Sequence, residues 1–138
     1  MKKYFFLLSF VLLIPLLSGC TNMAKASLNS QFTLAPGQTV RIQSESMDIK
    51  FIGVAGDSRC PKGAECIWAG QVICAVEITK NKIINQVTLT DSAGSGAATG
   101  QDFQNYQILF SVTPYPEIGK TISKNDYRLL LTVSQLRY

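Results

Sequence analysis

The sequence predicts an all-β fold: a single small antiparallel β-sandwich or partly open barrel of about seven strands, preceded by a signal peptide. Three observations lead there. Apolar and polar residues alternate with period two in segment after segment. Several of those segments are bounded by Gly, Pro, Asn or Asp, which favour turns. Beyond the first twenty residues, no capped stretch carries apolar residues at helical spacing. The 138 residues suffice for one domain and are too few for two.

The amino-terminal segment reads differently from the rest. Lys2 and Lys3 form a basic start, and Tyr4–Leu17 is an apolar run broken only by Ser9 and Pro15. Its 14 residues fall short of the roughly 20 that a helix needs to span a bilayer. Residues 1–19 are therefore expected to be a cleaved secretion signal. Leu17-Ser18-Gly19-Cys20 resembles the lipobox of bacterial lipoproteins. That resemblance implies a diacylglyceryl group on the Cys20 thiol and cleavage just before it. Residues 20–30, small, polar and without period, read as a lipidated tether, and 31–138 as the domain.

The strand stripes follow in order. Phe32 and Leu34 alternate with polar neighbours, Pro36-Gly37 turns the chain, and Val40 and Ile42 resume the pattern. Ile49 and Phe51 share a face in 47–54, and Val72, Cys74, Val76 and Ile78 share one in 71–79. Val87 and Leu89 continue it. Tyr106, Ile108, Phe110 and Val112 form the next stripe, and Tyr127, Leu129, Leu131 and Val133 the last. Three connections are long: Asp57–Gly70, the Gly-, Ala- and Ser-rich Asp91–Gln104, and Pro114–Lys124 with its Thr113-Pro114-Tyr115-Pro116.

Composition removes whole classes of chemistry. There is no histidine, which excludes Ser-His-Asp triads, Cys-His dyads and His-ligated zinc. A formal charge of +4, with Lys2 and Lys3 in the leader, gives no electrostatic case for nucleic acid. Gly119-Lys120-Thr121 resembles the end of a phosphate-binding loop, but Pro114 occupies the required first glycine position. No catalytic residue, metal site or cofactor is expected.

The richest segment is Asp57-Ser58-Arg59-Cys60-Pro61-Lys62-Gly63-Ala64-Glu65-Cys66-Ile67-Trp68-Ala69-Gly70. After export, Cys60 and Cys66 would sit where disulfides persist, and Pro61 and Gly63 favour a tight loop between them. A thiolate zinc site with Cys74 is an alternative, although the spacing matches no common pattern. Cys74 itself shares a strand face with Val72, Val76 and Ile78, which makes it a small core residue. The segment resembles an Asp-Ser-Arg-Cys-Pro…Cys-x-Trp-Ala-Gly signature of a family of small exported bacterial proteins without an assigned activity, so the resemblance implies no catalytic residues. Two readings of the loop stay open. Asp57, Arg59 and Trp68 form a binding surface, or Arg59 pairs with Asp57 and caps carbonyls while Trp68 packs over the sandwich end.

Together these features predict a lipid-anchored, extracytoplasmic, non-enzymatic interaction module on a bacterial cell membrane or outer membrane. Its partners would be the membrane, through lipid on Cys20, and an envelope protein or small ligand. The alternatives are an enzyme or inhibitor with a site on the Asp57–Gly70 loop, and a purely structural envelope lipoprotein.

Overall fold

The computed structural model describes residues 23–137. The signal peptide and Cys20 lie outside the described residues. Nine strands run in chain order: β1 (Ala24–Ala26), β2 (Gln31–Leu34), β3 (Thr39–Ile42), β4 (Met47–Asp57), β5 (Val72–Lys80), β6 (Ile83–Asp91), β7 (Thr99–Phe103), β8 (Tyr106–Thr113) and β9 (Arg128–Gln135). They form a five-stranded sheet in the order β1-β3-β4-β5-β6 and a four-stranded sheet in the order β2-β9-β8-β7. The sheets keep separate edges. The molecule is a sandwich, not a barrel.

All the expected strands are present, and two more join them. Part of the stretch read as tether, Ala24–Ala26, is β1, which pairs in parallel with β3 through Ala24↔Val40 and Ala26↔Ile42. Part of the loop read as irregular, Thr99–Phe103, is β7, an edge strand antiparallel to β8. Neither carries a readable stripe: Ala24-Lys25-Ala26 is three residues long, and Thr99–Phe103 has one large apolar residue, Phe103. Backbone pairing at a sheet edge needs no side-chain stripe, because only the neighbouring ladder has to be satisfied.

The period-two stripes become the core. Met47, Ile49, Phe51, Cys74, Val76, Ile78 and Leu89 of the first sheet face Leu34, Ile108, Phe110, Val112, Leu129, Leu131 and Val133 of the second. Each large side chain removed from water here contributes about 1.5–3 kcal/mol. Along one flank the Gln101 side chain stitches the sheets together: its Nε2 donates to Thr88 O at 2.8 Å and its Oε1 accepts from Thr90 N at 3.4 Å.

The alternation also fixes two unlike ends. Short turns, Gln43–Ser46, Asn81-Lys82 and Gln104-Asn105, gather at the hairpin end, where β4 begins. The long connections 58–71, 92–98 and 114–127 gather at the loop end, where β4 finishes.

Candidate functional site

The candidate site is the loop end, and its geometry starts from the last residue of β4. Asp57 and Arg59 form a bidentate ion pair, with Arg59 Nε donating to Asp57 Oδ1 at 2.8 Å and Nη2 to Oδ2 at 2.6 Å. The guanidinium reaches further than that. Nη1 donates to Val112 O at 2.8 Å and Nη2 to Pro114 O at 3.0 Å, so one side chain ties the end of β4 to the end of β8. The Tyr115 ring lies 4.9 Å from the guanidinium carbon, at cation–π distance. Tyr127 Oη donates to Asp57 Oδ2 at 3.2 Å. Arg59 is only 2% exposed.

Of the two readings of the loop, this bears out the one in which Arg59 pairs with Asp57 and caps carbonyls, and corrects the one in which Arg59 is displayed for recognition. A planar fork with five donors can be buried when carbonyls and a carboxylate accept from it, and here four accepting contacts converge on it. The paired charges set the local acidities. Burial alone would raise the Asp57 carboxyl, but the hydrogen bonds and charge of Arg59 outweigh it and hold Asp57 below the usual carboxylate value. Burial and the Asp57 charge push the Tyr127 phenol up.

The Asp57–Gly70 loop is closed at its base and at its tip. At the base, Ser58 N donates to Gln71 O at 2.8 Å and Cys60 N to Ala69 O at 2.8 Å, continuing the ladder beyond β4 and β5. Gly70 has φ +73°, and a Cβ there would lie 1.8 Å from Ser58 O, so only glycine fits this crossing. At the tip, Cys60 and Cys66 form a disulfide with Cα atoms 6.0 Å apart. That pairing removes the zinc alternative, and among the described residues no group of three or more acidic or cysteine side chains is placed for a metal. Cys74 is a free thiol in the core, its acidity suppressed by burial to a pKa of about 12. It is not a poised nucleophile.

Neighbouring loops brace this one. Lys62 N donates to Pro116 O at 2.9 Å, which joins it to the 114–127 connection. Gly94 sits so close to Ala69 that a Cβ would meet its carbonyl oxygen at 2.5 Å, and Tyr115 Oη donates to Gly94 O at 2.6 Å. Asp91, also buried, accepts from Ala93 N and Thr99 Oγ1 and so shapes the 92–98 loop.

Two side chains stand clear of this scaffold. Trp68 is 80% exposed and Ile67 is 93% exposed, so Trp68 does not pack over the sandwich end. Ile118, 59% exposed, lies on the adjoining connection. Of the three residues expected to act together, Asp57 and Arg59 form the buried brace and Trp68 belongs to the exposed tip. Sequence reasoning missed Tyr115 and the hydroxyl of Tyr127. The Thr-Pro-Tyr-Pro run held the one available signal, since a tyrosine between prolines in a stiff turn is fixed in position.

A cleft of about 300 Å³ lies beside the brace, lined by Asp57, Arg59, Pro116, Lys120, Thr121 and Tyr127 among others. Its acidic and basic groups are already engaged. Arg59 and Tyr127 bind the Asp57 oxygens, and Lys120 is paired with Glu117. Asp57 or Arg59 could act as a general base or acid only by breaking their buried ion pair, whereas the Lys120–Glu117 pair is exposed. No family model, curated protein or solved structure matches this chain.

Proposed function

We propose that this protein is a lipid-anchored, extracytoplasmic interaction module of the bacterial envelope, non-enzymatic, with the loop end as its contact surface. The Leu17-Ser18-Gly19-Cys20 sequence supports the anchor, with diacylglyceryl on Cys20 holding the domain to the cell membrane or outer membrane. One observation carries the contact surface. Ile67 and Trp68 project into solvent from a loop that a disulfide, a buried ion pair and two neighbouring loops hold still. A large aromatic exposed on a rigid support loses little conformational entropy when it is covered, which is how strong contact residues are built.

The brace and the tip divide the work. Asp57 and Arg59 position the loop, and Trp68 makes the contact. The proposal is tested by placing a photoactivatable residue at position 68 of the full chain in its own envelope. A cross-linked product is expected there and not from position 43 at the hairpin end. Equal labelling at both ends, or none at 68, would defeat the assignment. The anchor is tested separately by the mass of the amino-terminal peptide, which should begin at an acylated Cys20.

A further inference from the structure

We propose that the free half of strand β6 pairs antiparallel with β6 of a second copy of this chain. A two-fold axis at Asn85 would join two five-stranded sheets into one of ten strands. The proposal goes beyond the loop-end reading and does not depend on it.

Four strands end the two sheets: β1 and β6 in one, β2 and β7 in the other. An open edge is a template for another strand, and proteins blunt such edges with short strands, charges, proline or bulges. Three of these edges are blunted. β1 has three residues with Lys25 at its centre, β2 has four, and β7 has five including Asp102. β6 has nine, with no charge or proline before Asp91. It pairs with β5 residue for residue, without a bulge.

That long edge is only half covered. The Gln101 side chain donates to Thr88 O and accepts from Thr90 N, as a neighbouring strand would. Thr88 and Thr90 therefore turn their backbone groups outward, and by strand alternation so do Ile84 and Gln86. Among the described residues nothing bonds the N–H or C=O of Ile84 or Gln86. Unpaired backbone groups at strand spacing are matched by another strand, so the edge itself states what covers it.

The free stretch is its own complement. The axis at Asn85 sets Ile84 opposite Gln86 of the second copy, and Gln86 opposite Ile84 of the second copy, so four backbone hydrogen bonds form. The same register sets Ile83 against Val87 of the second copy. Ile83 shares its side of the strand with Leu89, a core residue, yet is 65% exposed. No charged residue lies between Ile83 and Thr90, so no like charges meet. Lys82 comes within about 12 Å, Cα to Cα, of Glu77 of the second copy, a span their side chains can bridge. The joined sheet ends in two blunted β1 strands, so this pairing stops at two copies. Gln101 halts the pairing at Thr88, so the interface is short and its Kd should be on the order of 0.1 mM.

Asn85→Cys in the purified full chain, treated with a thiol oxidant, tests the register. Across the axis the two 85 positions form a non-hydrogen-bonded pair with Cα atoms about 4.5 Å apart, within reach of a disulfide. Positions 88 of the two copies lie about 20 Å apart in this register. Asn85→Cys should therefore give at least about tenfold more disulfide-linked dimer than Thr88→Cys. Adding Gln86→Pro removes an outward N–H and leaves the β5 ladder whole. It should abolish the link with an unchanged circular dichroism spectrum. If Gln86→Pro unfolds the domain, Ile84→Lys replaces it, since a charge at the paired edge blocks the second strand. Without an added thiol, the full chain in detergent at about 1 mM should sediment as a dimer, and its Gln86→Pro variant as a monomer. Equal linking at positions 85 and 88, or a wild type that stays monomeric, would overturn the proposal. A link from position 85 to a different protein would overturn it in favour of a foreign strand.

Discussion

The two ends of this sandwich are held by different physics. At the hairpin end the chain reverses in a few residues, and the turn residues themselves supply the geometry. Asn81 and Lys82 both have positive φ, 50° and 67°, which matches the twist of the strands they join. A small polar cluster, Lys80 to Tyr106 to Glu45, ties the β3–β4 turn to β5 and β8. At the loop end the connections are too long to define themselves. They are fixed by contacts distant in sequence: Arg59 to Val112 and Pro114, Tyr127 to Asp57, and Tyr115 to Gly94. The hairpin end has exposed apolar residues of its own, Ile83 and Ile84, but they belong to strand β6 and not to a long connection. A braced loop leaves its tip available.

That contrast is broken most severely at Arg59. Arg59→Met would leave the Asp57 carboxylate buried without its counterion, and should destabilise the domain by about 3–5 kcal/mol. Urea unfolding monitored by circular dichroism would measure it. Asp57→Asn combined with Arg59→Met should recover part of the loss, because no unpaired charge remains. A single variant as stable as wild type would mean that the loop end does not depend on its brace.

Removing the disulfide sharpens the comparison by acting on one end only. Cys60→Ser with Cys66→Ser opens a seven-residue loop and should cost roughly 2–2.5 kcal/mol on the chain-entropy estimate. Amide exchange should quicken in residues 58–71 and stay unchanged at Asn81-Lys82 and Gln104-Asn105. Faster exchange at both ends would show that the ends are coupled through the core.

How much of this was visible in the sequence follows the same divide. The stripes Tyr106, Ile108, Phe110, Val112 and Leu129, Leu131, Val133 specified the core because burial on one face leaves a period in the chain itself. β1 and β7 left no such trace, since Ala24-Lys25-Ala26 and Thr99–Phe103 are held by edge pairing. At the loop end the outcome divides. The pairing of Arg59 with Asp57 was legible from their spacing and lets Arg59 be buried, whereas a lone tryptophan in a small domain is usually part of the core and Trp68 is outside. The carbonyls that accept from Arg59 lie 53 and 55 residues further along, a placement that no local pattern records.

Acid and alkali should also tell the regions apart. Asp57 is held below its ordinary value, so its contribution is complete above pH 3.8 and is lost as pH falls through the lowered value. Tyr127 and Cys74 are raised, so theirs is complete below their ordinary values of 10.0 and 9.0 and declines as pH rises beyond them. For Cys74 the decline runs toward about 12, at no more than about 1.4 kcal/mol per pH unit. Tyr127→Phe should cost about 0.5–1.5 kcal/mol at neutral pH, the worth of its bond to Asp57. The same variant should flatten the alkaline decline, as should Cys74→Ala. Thermal unfolding between pH 3 and pH 11 would test both signs, and an alkaline limb unchanged in both variants would rule out these two groups as its source.

The smallest expected effect on stability belongs to the residue with the largest proposed role. Trp68→Ala removes a side chain that is 80% exposed and makes no hydrogen bond to the brace. Its cost should stay within about 0.5 kcal/mol, as for a surface position that caps nothing and fills nothing. Arg59→Met should give the opposite pattern, a large loss of stability with the contact residues chemically intact. Measuring urea unfolding and cross-linking at the tip on both variants separates support from contact. If Trp68→Ala costs as much as Arg59→Met, Trp68 is packing against something and the division between brace and tip is wrong. If it costs almost nothing and abolishes cross-linking from a photoactivatable residue placed at Ile67, the exposed ring is retained for what it touches outside the domain.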